Sequence, residues 1–117
     1  MFLPLEHKKA DLYIQSKKIL YLCYEITHDI AAEEKSLISE QIRKAAMIAH
    51  FNIVKGLSAG KGKDKQKRLK TARNAFIVLD AGLEIILQLG WVTIVQISES
   101  EHELKIAFDT LNKIIKK

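Results

Sequence analysis

Residues 36–55 read SLISEQIRKAAMIAHFNIVK, and the period of their apolar positions decides the fold. Ile38, Ile42, Ala45, Ala46, Ala49 and Ile53 recur at three- and four-residue steps, the spacing of one face of an α-helix. Met47, Ile48, Phe51 and Val54 form a second apolar stripe opposite the first. A helix apolar on both sides wants burial on both sides. The stretch therefore predicts a helix from Ser36 to Lys55 whose inner stripe builds a bundle core and whose outer stripe needs a further partner.

The same period extends outward in both directions. A helix is predicted from Lys8 to Ile30, with Leu12, Ile19, Cys23, Ile26 and Ile30 on its core stripe. A third begins with Asp64 as N-cap, carries Leu69, Ala72, Phe76, Leu79, Leu83, Ile86 and Leu87, and stops at Gly90. A fourth begins at Thr93, where Thr93 and Gln96 have capping-box spacing and Val92 can staple onto Ile97. Its stripe is Ile97, Leu104, Phe108, Leu111 and Ile115, and Ser98-Glu99-Ser100-Glu101 is a second capping box and a competing start. Four long helices with short connections predict an all-α, up-down-up-down four-helix bundle, a single domain over residues 1–117.

The outer stripes recur on the neighbouring helices. Ile14 and Tyr21, with Tyr24 at the margin, lie opposite the core stripe of the first helix. Val78, Ala81, Ile85 and Leu89 do so on the third. So much apolar surface in a small domain predicts a homo-oligomer. Its interface residues are expected to be Tyr21, Met47, Ile48, Phe51, Val54, Val78, Ile85 and Leu89.

Charge is as unevenly distributed as hydropathy. Residues 56–73 read GLSAGKGKDKQKRLKTAR. From Lys55 to Arg73 there are eight basic residues (Lys55, Lys61, Lys63, Lys65, Lys67, Arg68, Lys70 and Arg73) and one acid, Asp64. This belt carries +7 of a net charge of +5, so the rest of the chain is slightly acidic. A nucleotide phosphate loop needs four residues between its first glycine and its Gly-Lys, followed by Ser or Thr. Gly56 to Gly60 leaves three and Gly56 to Gly62 leaves five, and Gly62 or Asp64 stands where the hydroxyl should be. The loop also follows a helix rather than a strand. What remains is a solvated turn or a patch for a larger polyanion. The concentration of charge favours nucleic acid, gripped by its phosphates with little sequence preference.

Two segments together resemble a known family. QIRKAAMIAHFNIVKG, from Gln41 to Gly56, resembles the Q-I-R-R-A-A then N-I-A-E-G signature of the 23S rRNA intervening-sequence proteins. LDAGLEIILQLGW, from Leu79 to Trp91, is similar to that family's L-E-T-Q-L-E-I-A-x-x-L-G-Y segment, and Glu34 falls where the family has an acid before the second helix. The resemblance implies a four-helix bundle assembled as a ring-shaped homopentamer. Through a related branch, the accessory proteins of diversity-generating retroelements, it implies nucleic acid and a reverse transcriptase as partners. The chain departs from the pattern at Ile48-Ala49-His50, where the family has Ser-Ile-Pro, and at Asn74-Ala75, where it has Gly-Ser. Lys55 and Val78 stand where the family has Glu.

Catalytic constellations are sparse. Glu25-x-x-His28 and Glu99-x-x-His102, with Glu40 and Glu84, are the residue types of a bundle di-iron site. At about 100° per residue, however, both motifs point away from their core stripes, and no metal is expected. His7 and His50 have no Ser or Cys at a motif spacing that would make a nucleophile–base pair. Cys23 lies on a core stripe as a small hydrophobe, and as the lone cysteine it excludes an intrachain disulfide. Arg43 and Glu84, matched to the family pattern, are either an interhelical or intersubunit ion pair or two solvated side chains. Asn52 is expected to make a structural hydrogen bond, and Trp91 to pack the bundle end.

No apolar run suggests a signal peptide or a membrane span, which predicts a cytoplasmic protein with no membrane association. The expected function is non-enzymatic and cofactor-free: an oligomeric bundle that binds RNA or DNA through the belt, as an accessory subunit of an enzyme such as a reverse transcriptase. The alternative is an oligomeric scaffold with no nucleic-acid role.

Overall fold

The computed structural model describes residues 2–28, 30 and 33–115, without the side chains of 33–36. After a short 3-10 turn at Glu6–Lys9 come α1 (Asp11–His28), α2 (Glu33–Ser58), α3 (Lys63–Gln88) and α4 (Ile94–Ile114). Among the described residues there is no strand.

The helices pack in chain order around a square. α2 lies against α1 and α3, and α4 against α3 and α1, while the diagonal pairs do not approach. Short turns between α2 and α3 and between α3 and α4 make these neighbours antiparallel. The expected stripes supply most of the core, from Leu12, Ile19 and Cys23 through Ile42, Ile53, Leu69 and Phe76 to Leu104 and Leu111. Ile38, Leu87 and Phe108 are only partly buried against it. The loss of the Phe108 ring from the full core marks the loosest seam, between α3 and α4.

Several helix ends differ from expectation. The first helix is broken at Ala10, whose ψ of 139° is extended, so residues before Asp11 form a separate turn. α2 starts at Glu33, earlier than Ser36. α3 starts at Lys63 with Gly62 as a N-cap that offers no side chain, and Asp64 lies inside the first turn. There its carboxylate favours the helix dipole and sits 3.9 Å from Arg68 Nε. The Gly90 stop is present: at φ +76° it lets Gly90 N–H bond Leu87 O and Trp91 N–H bond Ile86 O, a Schellman closure. Trp91 is half-buried against the core, at the end of the bundle. At the start of α4, Thr93 Oγ1 accepts from Gln96 N and Gln96 Oε1 accepts from Thr93 N, at 3.1 and 2.8 Å. Ser98 and Ser100 do not restart this helix. Their hydroxyls bond back to Val95 O and Ile97 O inside it.

Candidate nucleic-acid interface

The belt lies at one end of the bundle, on the turn between α2 and α3. Gly60 and Gly62 take φ of +85° and +97°, which a side chain would strain, so these two glycines make the reversal possible. Beyond it the helical period sorts the basic residues by direction. Lys63, Lys67 and Lys70 follow one another at i, i+4 and i+7 and are all exposed on one outward face of α3. With Gly62, Gln66, Thr71 and Asn74 they line a shallow, open depression of about 730 Å³. Lys61 is exposed in the turn beside them.

The other members of the belt point elsewhere. Lys65, Arg68 and Arg73 are half-buried. Arg68 leans towards α2: its Cβ is 3.4 Å from where a side chain on Gly56 would begin. Lys55 is exposed near the end of α2. A charge run that looks uniform in sequence is therefore a coherent patch of Lys61, Lys63, Lys67 and Lys70 with four outliers. Alternation of direction along α3 was available from the sequence period, and the run of lysines concealed it.

The outer apolar stripes separate in a similar way. Tyr21, Ile48, Phe51, Val78, Ile85 and Leu89 are exposed, while Met47 and Val54 are half-buried. His50 and Arg43 bond to α1 and so mark the α1 side of α2. Ile48 lies on the opposite flank, beside α3, with Phe51 further round. Val78, Ile85 and Leu89 are on the outward side of α3, and Phe51 and Val78 are 50% and 54% exposed. Tyr21 stands apart on α1. Met47 belongs to the α1–α2 seam, where its sulfur accepts a long, weak contact of 3.6 Å from Tyr24 OH.

That seam holds polar residues whose pairing the sequence did not reveal. Ser16 Oγ and His50 Nδ1 are 2.7 Å apart, at 1% and 5% exposure. His50 thus has a serine partner, although not at any motif spacing. The two residues lie 34 positions apart, and only the antiparallel packing of α1 on α2 brings them together. The arrangement resembles a nucleophile and base but cannot act as one. The hydroxyl is sealed from any substrate and also bonds Tyr13 O at 3.2 Å, and among the described residues no carboxylate is bonded to the ring. Burial, with the Lys17 charge nearby, lowers the His50 pKa and keeps the ring neutral. Tyr13 and Phe51 flank it at ring distances of 5.2 and 5.6 Å.

Other candidates take structural roles. Within the chain Arg43 is not paired with Glu84: its Nε donates to Thr27 Oγ1 at 2.7 Å and its guanidinium carbon lies 4.4 Å from the Tyr24 ring centre. Asn52 Nδ2 donates to Ile48 O at 2.8 Å. Burial pushes the Cys23 thiol up to about 12, so it stays protonated and inert. Glu25, His28, Glu40, Glu99 and His102 are exposed. Among the described residues no three His, Cys, Asp or Glu side chains are placed to share a metal ion. Glu99 instead pairs with Lys18 at 3.1 Å, tying α1 to α4, and this raises the Lys18 pKa. Glu34 lies outside the described side chains. Among the described residues no helix is long and apolar enough to cross a membrane. Neither a scan against protein-family models nor a search of curated proteins returns a match to the chain.

Proposed function

We propose that the protein is a non-enzymatic, self-associating four-helix bundle that binds the phosphate backbone of RNA or DNA through the turn between α2 and α3. The observation that carries this reading is the alignment of Lys63, Lys67 and Lys70 on one exposed face, beside the uncapped start of α3. An i, i+4, i+7 row of ammonium groups follows a line of phosphates. The first N–H groups of α3, with no capping side chain in competition, add a further site for anionic oxygen. Gln66, Thr71 and Asn74 supply polar groups on the same depression. No arrangement of aromatic rings accompanies them, so discrimination among bases is not expected. Self-association would repeat the patch once per subunit and multiply its field.

The exposed apolar face of α2 and α3 supports the self-association part of the reading. By resemblance to the 23S rRNA intervening-sequence proteins the assembly is a pentamer, and through the related accessory proteins of diversity-generating retroelements a reverse transcriptase is a partner. The same face also favours the alternative, a scaffold that binds only protein.

Reversal of the three aligned lysines (Lys63→Glu, Lys67→Glu, Lys70→Glu) tests the reading against a control reversal of Lys55. Filter binding at low salt should show the triple variant losing affinity by at least about tenfold more than the control. Wild-type log Kd should rise against log salt with a slope of about 0.7–0.9 per phosphate neutralised. If wild type retains neither RNA nor DNA, the scaffold reading replaces this one.

A further inference from the structure

An open groove runs between α3 and α4, with a volume of about 490 Å³. Its floor is apolar, built by Phe76, Leu83, Leu87, Leu104 and Phe108. Along it stand three exposed acids, Asp80, Glu84 and Glu101, against a single base, Lys105. A surface of this kind fits a segment that is apolar with adjoining positive charge.

The chain itself carries one. Residues 2–9 read FLPLEHKK, and their apolar side chains lie in solvent: Phe2 is 90% and Leu3 66% exposed. Lys8, half-buried, and Lys9, exposed and 3.5 Å from Glu6, follow within the 3-10 turn. The turn at residues 6–9 rests on α1 and α2, with the His7 ring edge-on to Tyr13 at 5.5 Å, while residues 2–5 are held only lightly. Lys8 Nζ reaches Leu3 O at 2.6 Å, and Phe2 and Leu3 border a shallow hollow on the outside of α1 near Ile14 and Tyr21.

The arm cannot fill the groove of its own chain. The turn at its base contacts α1 and α2 alone, the side of the square opposite the α3–α4 seam. From Leu5, the four residues 2–5 reach at most about 14 Å when fully extended. The bundle is at least 23 Å across. Arm and groove are therefore complementary surfaces on opposite sides of one molecule, and neither is satisfied within it.

We propose that the groove between α3 and α4 receives the N-terminal arm, residues 2–9, of a second copy of this chain. Phe2 and Leu3 lie on its apolar floor, and Lys8 and Lys9 face Asp80, Glu84 and Glu101. The contact is head-to-tail: each copy offers an arm on one side and a groove on the other. It therefore closes into a ring or propagates as a filament, and does not form a two-fold dimer. This inference rests on the self-association reading above and specifies one of its contacts. It does not depend on nucleic-acid binding.

Two full-length single variants test it, Leu3→Cys and Glu84→Cys, both at exposed positions; the native Cys23 is buried. Mixed in equal amounts and mildly oxidised, they should link to each other about tenfold more than like to like, because docking raises the effective concentration of the two thiols. A second measurement places a fluorophore on the Glu84→Cys chain and adds a synthetic peptide of residues 2–9. The signal should saturate, and it should not do so with a peptide carrying Phe2→Asp and Leu3→Asp. Failure of both the selective link and the peptide titration overturns the proposal and leaves the groove to a partner of other sequence. If light scattering still finds an oligomer, self-association then rests on the face of α2 and α3. A wild-type monomer at every concentration overturns the self-association reading and this contact together.

Discussion

α3 has two neighbours, and the two seams it makes are unlike. Against α2 the contact is extensive, and small residues line it: a Cβ on Gly82 would lie 2.8 Å from Ile42 Cγ1, and one on Gly56 2.9 Å from Leu69 Cδ2. Ala45, Ala46, Ala49, Ala72 and Ala75 are buried in the same core. Against α4 the facing residues are larger, and a groove of about 490 Å³ remains between the helices. Residue size at the seam sets how near two helix axes can come. The small-residue seam closes and holds the fold, while the large-residue seam stays partly open and is left available for binding. Neither property follows from hydrophobicity alone, since both seams are apolar.

The largest expected effect breaks the closed seam. Ile42→Ala removes a side chain with 1% exposure and leaves a void against a helix that cannot move closer, so a loss of about 2–5 kcal/mol is expected in urea denaturation. The counterpart in the open seam, Phe108→Ala, removes a larger but half-exposed ring and should lose no more than about 1.5 kcal/mol. Equal losses would mean that the groove is closed in solution and that the contrast is false.

A smaller effect is expected in the seam between α1 and α2, which holds the buried Ser16–His50 pair. His50→Leu keeps the volume roughly constant and strips the Ser16 hydroxyl of one partner, which should cost about 1–2 kcal/mol. The pH dependence gives a separate readout. The folded protein holds the His50 pKa below the ordinary 6.5, so below that value the unfolded chain binds the proton more readily. His50 thus contributes stability that is present above about pH 6.5 and is lost as the pH falls from there through the lowered folded value. Thermal melts of the His50→Leu variant between pH 7 and pH 5 should fall less steeply than wild type, and parallel curves would remove His50 as the cause.

The smallest effect sharpens the account of the closed seam. Gly82→Ala gains up to about 1 kcal/mol of helix propensity but drives a methyl group into Ile42. A net loss of about 1 kcal/mol is expected, and it should vanish or reverse in the Ile42→Ala background, where the obstructing atoms are gone. Additive losses would show that Gly82 is not what sets the spacing.

How far the site was legible can be followed residue by residue. Lys63, Lys67 and Lys70 stand out in sequence as basic, and helical spacing places them together. The turning of Lys65, Arg68 and Arg73 away from that face needed only the same period applied more strictly. Ser16 and His50 were not legible, because no local pattern links positions 34 apart. Asp64 was misread as a cap because its residue type suits that role. The glycine two residues ahead of it takes the N-cap position instead, and Asp64 is used inside the first turn.

By itself the sequence determined four helices, their core stripes, the Gly90 stop, the Thr93 capping box and the concentration of positive charge at one end. These are local properties, set by spacings of a few residues, by backbone freedom at single glycines and by nearby side-chain oxygens. Only the tertiary structure decided that Ser16 meets His50 and that Arg43 serves Thr27 and Tyr24. It also decided that the seam of α3 with α2 closes while its seam with α4 stays open. Those outcomes depend on which faces of different helices are brought within a few ångströms, and distance along the chain does not encode that proximity.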